Sequence, residues 1–526
     1  MKTTQYILLL FLVASACSKS KDLPDPSPDL LKVNRSSLTL NGLSNAIDSF
    51  YITYAGNWTI TTSPTDTAWL HISETSGSGN KRITVAVTGI NEGTASRSVE
   101  IVVSGQSNTA PVRLTCTQQP LPVSPVYPHV FGGSDGDQFN AAIATSDGGI
   151  IAVGFSTSAN DDVLVNRGER DLWILKTDKE GNKMWSRTFG GTLNDEGDAI
   201  VVTSDGGYMI SGYTESNDGD VTGNHGSWDA WVIKIDADGN KIWQKTFGGS
   251  KLERAFGLTA LSDGNFMIAV DATSTDGDVV DNHSDAADVW LVKLNNSGDK
   301  LWSKCFGGSS GEQMPFSMTR GNDGGVVVTG FNSAFIADGD VLPSEKGMDI
   351  WVLKVSDNGN LEWQKTFGKN NDDIGWKIIA TTDGNYVVTG TTYKGLPPVN
   401  GVSKLQNNIW VLKIDNAGNL LWDKELGGDG LGTGRGAVAL ASGAVMILGN
   451  TSSPDELLEN DAWIVTLNSN GEIVNQQAFG GSKDDQAFAI IAGSDDKYFV
   501  LGTTNSTDGD LSGSHGGADG WLFSVN

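Results

Sequence analysis

Carboxylates recur at a fixed distance from a repeated phrase. The Phe of FGG, taken as a phase mark, falls at Phe131, Phe189, Phe247, Phe306, Phe367 (where the phrase is FGK), Leu426 (where Leu replaces Phe) and Phe479. Six residues later an acid stands in six of the seven copies, at Asp137, Asp195, Glu253, Glu312, Asp373 and Asp485, with Gly432 the exception. A second acidic pattern, DGD at 218–220, 276–278, 338–340 and 508–510, is followed about ten residues on by Asp229, Asp288, Asp349 or Asp519. Converging carboxylate oxygens are what a hard cation such as calcium requires, which makes Asp218, Asp220 and Asp229 the candidate ligands. The closing Glu of a calcium loop is missing, however. Asp side chains also cap turns by accepting backbone N–H groups, and that role is the expected one. His225, His283 and His515 each lie five residues after the second Asp of a DGD. Because they sit on separate copies, they are expected to serve the repeat and not to meet at a metal.

Chemistry specific to this chain should lie where the repeat departs from itself. Nine residues after the phase mark the sequence reads Asn140, Asp198, Phe256, Pro315, Trp376, Arg435 and Phe488, a variety the repeat itself does not need. Trp228 replaces a small residue in its loop, Phe335 stands in FNSAFIADGD, and one copy abandons the acidic loop for TTYKGLPPVNGVSKLQNN, with Tyr393 and Lys394. Aromatic rings beside acids suit sugar recognition, since rings meet C–H faces and carboxylates accept hydroxyl protons. Trp228, Phe335, Trp376, Tyr393, Lys394 and Arg435, with Asp195, Glu253, Glu312 and Asp373, are therefore the candidate ligand-binding residues. Loops drifting without a ligand would vary in the same way. No catalytic residue is assigned, because acids repeated around a ring offer no asymmetric acid–base pair.

These residues need a scaffold. The phase marks are spaced by 58, 58, 59, 61, 59 and 53 residues, enough for four short strands per copy, the size of a propeller blade. In the second copy the expected strands are DAIVVTS, YMISGYT, AWVIKID and KIWQKTFG, with Asp-Gly turns where Gly accepts positive φ. Trp recurs in the third strand, from Trp173 to Trp521, and in the fourth, from Trp185 to Trp422. Residues present in every blade cannot all face one ligand, so they are read as packing between sheets. The last copy ends at GWLFSVN after its third strand, while VYPHVFGG at 126–133 supplies a lone fourth strand with Tyr127 at the Trp position. A ring of seven blades over 126–526, latched by its N-terminal strand, leaves no sheet edge open. The copies resemble Kelch-like and quinoprotein-like propellers and exported proteins whose units end in W-x-K-x-F-G-G. The quinoprotein likeness is limited to a Trp after a Gly turn, and no cofactor is assigned.

The start MKTTQYILLLFLVASAC has a basic Lys2, a short apolar run and small residues before Cys17. It resembles a bacterial lipoprotein signal over 1–16. This implies lipidation of Cys17, a polar tether over 17–30, and an outer-membrane, cell-surface location. From 31 to 120 short β-rich runs alternate with turn residues. Trp58 in GNWTI, Trp69-Leu70 in AWLHI, the GSGN turn at 77–80, Arg97 and the closing TQQ resemble the BACON domain, an immunoglobulin-like module. Trp58, Trp69 and Cys116 are expected in its core, with no site there.

Composition narrows the partners. With 36 Lys+Arg against 63 Asp+Glu, the net charge of −27 opposes binding to nucleic acid. The 66 glycines and 16 tryptophans suit short strands and many turns, an all-β chain. The expectation is an all-β surface lipoprotein, a sandwich followed by a propeller whose loop face binds a glycan or a protein partner without catalysis. The alternatives are a carbohydrate-active enzyme on the propeller and a structural scaffold of an outer-membrane complex.

Overall fold

Period-two alternation of apolar residues, broken every few residues by Gly, Asp and Asn, leaves the chain nothing to build but short antiparallel strands. In the computed structural model residues 30–525 are described, apart from 41–46, 64–68, 88–95, 107–108, 119–125, 345–346, 370, 396–404, 428–431, 453–459, 494–496 and 511–512. Cys17, the signal and nearly all of the tether lie outside these. The described residues are all β, without a helix, and divide into two units, 1–123 and 124–526.

In the first unit one sheet runs Lys32–Val33, Ile47–Thr53, Lys81–Val87, Leu70–Ile72, and the other Ser37–Leu40, Val112–Gln118, Arg97–Ser104, Asn57–Ser63, Ser76–Ser78. Both face one apolar core that contains Phe50, Trp58, Ile83, Ile101 and Cys116. Trp58 is buried and donates its indole N–H to the Gly79 carbonyl at 2.9 Å. Trp69 packs against this core under the Arg97 guanidinium, 4.8 Å from the ring. Burial pushes the Cys116 thiol up to about 11, so it behaves as a small apolar residue.

The second unit holds seven four-stranded antiparallel sheets, which we number in chain order. Sheet two, for example, runs Asp195–Val202, Tyr208–Thr214, Asp229–Ile235, Lys241–Phe247. Its first strand starts three residues ahead of the expected DAIVVTS, because Asp195 and Glu196 already pair with Thr214 and Tyr213. First strands lie side by side in succession, and that of sheet seven (Asp485–Ala492) packs beside that of sheet one (Asp137–Ala144). In sheet seven the outer strand is Val126–Phe131, antiparallel to Asp519–Val525 with Val130 opposite Trp521. The Tyr127 side chain is outside the described residues; His129 instead stacks on Phe131 and reaches the Glu180 carbonyl of the next sheet at 3.3 Å.

The repeated residues hold this array together. Third-strand Trp173, Trp231, Trp290, Trp351, Trp410 and Trp521 are buried, and four of these donate to a fourth-strand side chain, as Trp231 does to Gln244 at 2.8 Å. Fourth-strand Trp302, Trp363 and Trp422 donate to carbonyls in the hairpin of the following sheet, at 3.0–3.1 Å. A buried third-strand lysine ties each Asp-Gly turn in sheets one to five. Lys293 binds Asp263 of its own sheet at 2.7 Å and Asp357 of the next at 2.6 Å.

Candidate functional site

The acids six residues after the phase mark are structural. Asp195, Glu253 and Asp373 are fully buried at the junctions between sheets, and each accepts a backbone N–H from the link before it, at 2.7–2.8 Å. The FGG phrase follows from this placement. A Cβ on Gly190 would lie 2.6 Å from Asp171 Oδ1 and 2.8 Å from Asp195 Oδ2, so a side chain there would collide with both carboxylates. Burial lifts the Asp171 carboxyl to about 6 against the pull of Arg167. In sheet four the link is one residue longer, and Gln313 takes the junction place, accepting from Gly308 N–H at 3.0 Å, while Glu312 is exposed.

The DGD aspartates are likewise engaged within the repeat. Asp218 accepts from Thr192 N–H at 2.8 Å, Asp220 pairs with Lys241 at 2.7 Å, and Asp229 bonds the His225 ring at 2.6 Å. His283 meets Asp288 at 2.6 Å, and the backbone N–H of His515 donates to Asp519 at 2.8 Å, each within its own sheet. Arg167 stands in the same relation to Asp171. Among the described residues no three metal-ligating side chains come together.

The residues that vary nine places after the phase mark do converge. Every first strand carries a β-bulge, and the bulged residue is Asn140, Asp198 and Phe256 in sheets one to three, then Phe316, Trp376, Arg435 and Phe488 in sheets four to seven. A bulge inserts one residue without a ladder partner and re-aims its side chain. All seven line a single cavity of about 260 Å³ and all are half-buried. The longer link of sheet four moves the bulge from the expected Pro315 to Phe316.

Their contacts form a belt. Phe316 meets Phe256 edge-on at 5.5 Å and Trp376 at 4.4 Å. The Arg435 guanidinium lies 4.5 Å from the Trp376 ring and 5.6 Å from Phe488. On the other side Arg254 lies over Phe256 at 5.1 Å and over Trp228 at 5.3 Å, and Trp228 stacks on Tyr213 at 4.8 Å. Trp228, Trp376 and Arg435 of the predicted set are thus joined through neighbouring side chains. Tyr393 stands near Arg435, whose charge opposes the rise that burial gives the phenol. Phe335 is 74% exposed on its loop, and Lys394 is held at 2.5 Å by Glu425, so neither lines the cavity.

Polar groups in the belt are left incompletely satisfied. Asn140 donates to Asp198 Oδ1 at 3.2 Å, but Asp198 Oδ2 is buried with no partner among the described residues. Burial, reinforced by the charge of Glu196 and opposed by Arg254, raises the Asp198 carboxyl to about 8, which favours its protonated form. Arg435 Nε is also buried without a partner among the described residues.

Sequence reasoning missed Lys377. The residue after the bulge is Ala141, Ala199, Gly257, Ser317, Gly436 or Ala489 in the other six sheets, and Lys377 in sheet five. That one long cation among six small residues was the available signal. Burial pulls its amine below the usual lysine range.

No family model matches the chain. The regulatory protein FlaEY of Caulobacter vibrioides is 25% identical over 224 residues, covering 40% of this chain and 23% of that protein, so the match spans under a quarter of the relative's length. Among solved structures, a quinonprotein alcohol dehydrogenase-like protein from Bacteroides thetaiotaomicron is similar with a TM-score of 0.34 and 10% identity, over 85% of this chain and 96% of its own. The lignostilbene dioxygenase of Pseudomonas brassicacearum gives 0.38 and 10%, over 76% and 96%, and puromycin hydrolase 0.42 and 12%, over 70% and 50%. The fold is all-β and propeller-like.

Proposed function

We propose that residues 126–526 form a seven-bladed propeller closed by Val126–Phe131, and that its axial mouth binds a saccharide without catalysis. The sandwich, read as BACON-like, would then be a spacer, and a lipid on Cys17 would hold the protein at the outer-membrane surface. One observation carries the reading. Seven bulged residues, one from each sheet, meet around one cavity and bring four aromatic rings together with Asn140, Asp198 and Arg435. Each first strand begins at the link between sheets, and its bulge comes three residues later. Rings for C–H faces, beside polar groups lacking partners, are the composition of a sugar site. A cavity of about 260 Å³ suits one sugar residue, such as the end of a glycan.

The test is a glycan array probed with the full chain and with Trp376→Ala. The expected result is a defined set of bound glycans whose signal falls at least tenfold in the variant, in line with the loss of a stacked ring. Equal binding by both proteins, or no glycan bound by either, overturns the reading.

A second reading, a carbohydrate-active enzyme, draws on the asymmetry the repeats lack: a protonated Asp198 and a single Lys377 line one cavity. Turnover of a bound glycan that is lost in Asp198→Asn supports this reading, and binding without turnover supports the first.

A further inference from the structure

The cavity carries an electrostatic imbalance. In a chain of net charge −27, cations normally find carboxylates, and around the mouth they do. Arg170 pairs with Glu196, and Arg254 with Asp271 at 2.6 Å. Lys377 and Arg435 are the exceptions. Both line the cavity; burial alone acts on the Lys377 amine, with no carboxylate beside it, and Arg435 Nε is buried without a partner among the described residues. Arg435 rests on rings alone, between Trp376 and Phe488. Asp198, which lines the same cavity, is held neutral by its burial and by Glu196, and so does not serve as their counter-ion. Placing two cations in a half-buried, partly aromatic cavity without an anion is costly, and the cost is recovered when an anion arrives.

We infer that the ligand of the mouth is an acidic sugar, whose carboxylate is taken by Lys377 and Arg435 while its ring lies against Trp376 and Phe316. The inference rests on the saccharide reading above and adds the ligand's charge. Lys377 supplies a mobile point charge with three donors, and Arg435 a planar fork pre-oriented by the Trp376 face. A single carboxylate uses both. The overall negative charge does not forbid this, because at physiological salt its field is screened beyond about 8 Å and the two cations are within contact distance of the occupant.

The experiment is a tryptophan-fluorescence titration of the full chain with D-glucose, D-glucuronate, D-glucose 6-phosphate and benzoate, repeated on Lys377→Met. Glucuronate is expected to bind at least tenfold more tightly than glucose, the size of one charge-assisted hydrogen bond. Lys377→Met should remove that preference. Its melting temperature without ligand should hold or rise, since an unpaired cation is replaced by an apolar chain of similar length. Equal affinity for glucose and glucuronate overturns the acidic-sugar inference and leaves the saccharide mouth standing. Tighter binding of glucose 6-phosphate than of glucuronate overturns the carboxylate assignment. Benzoate binding as well as glucuronate, with the same loss in the variant, supports the anion and overturns the sugar. Failure of all four probes overturns both readings, as does a Lys377→Met variant that keeps the full preference for glucuronate.

Discussion

Deleting Val126–Phe131 is expected to cost the second unit more than any single side-chain change. The six residues form the fourth strand of sheet seven, and without them Asp519–Val525 becomes an open edge. Phe131 is buried against Phe139, Trp173 and Leu522, and Val130 packs beside Trp521 and Phe523. Uncovering one Phe and one Val removes about 3–5 kcal/mol of apolar burial, to which the lost ladder hydrogen bonds add. That is a large share of the net stability of a domain. Circular dichroism melting of the full chain and the deletion checks this. The expected outcome is a strongly lowered or non-cooperative transition of the propeller unit together with self-association through the bared edge. An unchanged melting curve would mean that the strand is a passive appendage and that the seven sheets need no latch.

Asp198→Asn is expected to stabilise the protein at alkaline pH and not at acid pH. The Asp198 carboxyl keeps its proton to about pH 8 in the folded chain, against an ordinary value of 3.8. Between those values the native state binds one more proton than the unfolded state does. Stability therefore falls as pH rises through that window and levels off above about 8. Asparagine has the shape of the protonated acid and no proton to lose. It can still accept the Asn140 amide at the Oδ1 position. The difference between the two proteins cancels titrations that Asp198 does not influence, such as that of Asp171, whose raised value acts in the same direction up to about 6. Melting temperatures at pH 5 and pH 8.5 should show the variant gaining on the parent by several degrees across the interval, a few kcal/mol by linkage. Parallel pH profiles would show that Asp198 is ionised and solvated, and would remove the enzymatic reading along with the neutral acid.

Much of the scaffold was legible because its signals repeat. Trp231 and Gly190 have counterparts in every copy and Lys234 in the first five, where they give the packing between sheets, the close approach to the junction carboxylates and the turn lock. Repetition also misdirects. Asp195, Glu253 and Asp373 look like ligands in a linear list, yet they are fully buried and already accept N–H donors, because an acid needed at every junction belongs to the junction. A fixed count of residues found six of the seven bulged positions that line the cavity and missed Phe316, since one extra residue in the link GGSSGE shifts sheet four out of phase. Gln313 keeps the hydrogen bond of the acid it replaces, which chemical type alone does not reveal. Lys377 was hidden for another reason. A lysine in a strand ordinarily marks a solvated face, and only its six small counterparts, aligned through the bulge, mark it as a residue lining the cavity. That the variable position is a bulge is a backbone property, which leaves no trace in residue types beyond the variability itself.

The most direct test is a crystal structure of the full chain soaked in glucuronate. The account predicts a sugar ring on the axis against Trp376 and Phe316, its carboxylate within hydrogen-bonding distance of Lys377 Nζ and Arg435, inside a ring of seven sheets. A sugar seated on the outer loops beside Phe335 or Lys394 with the axis unoccupied, or first strands that do not close around one cavity, would contradict it.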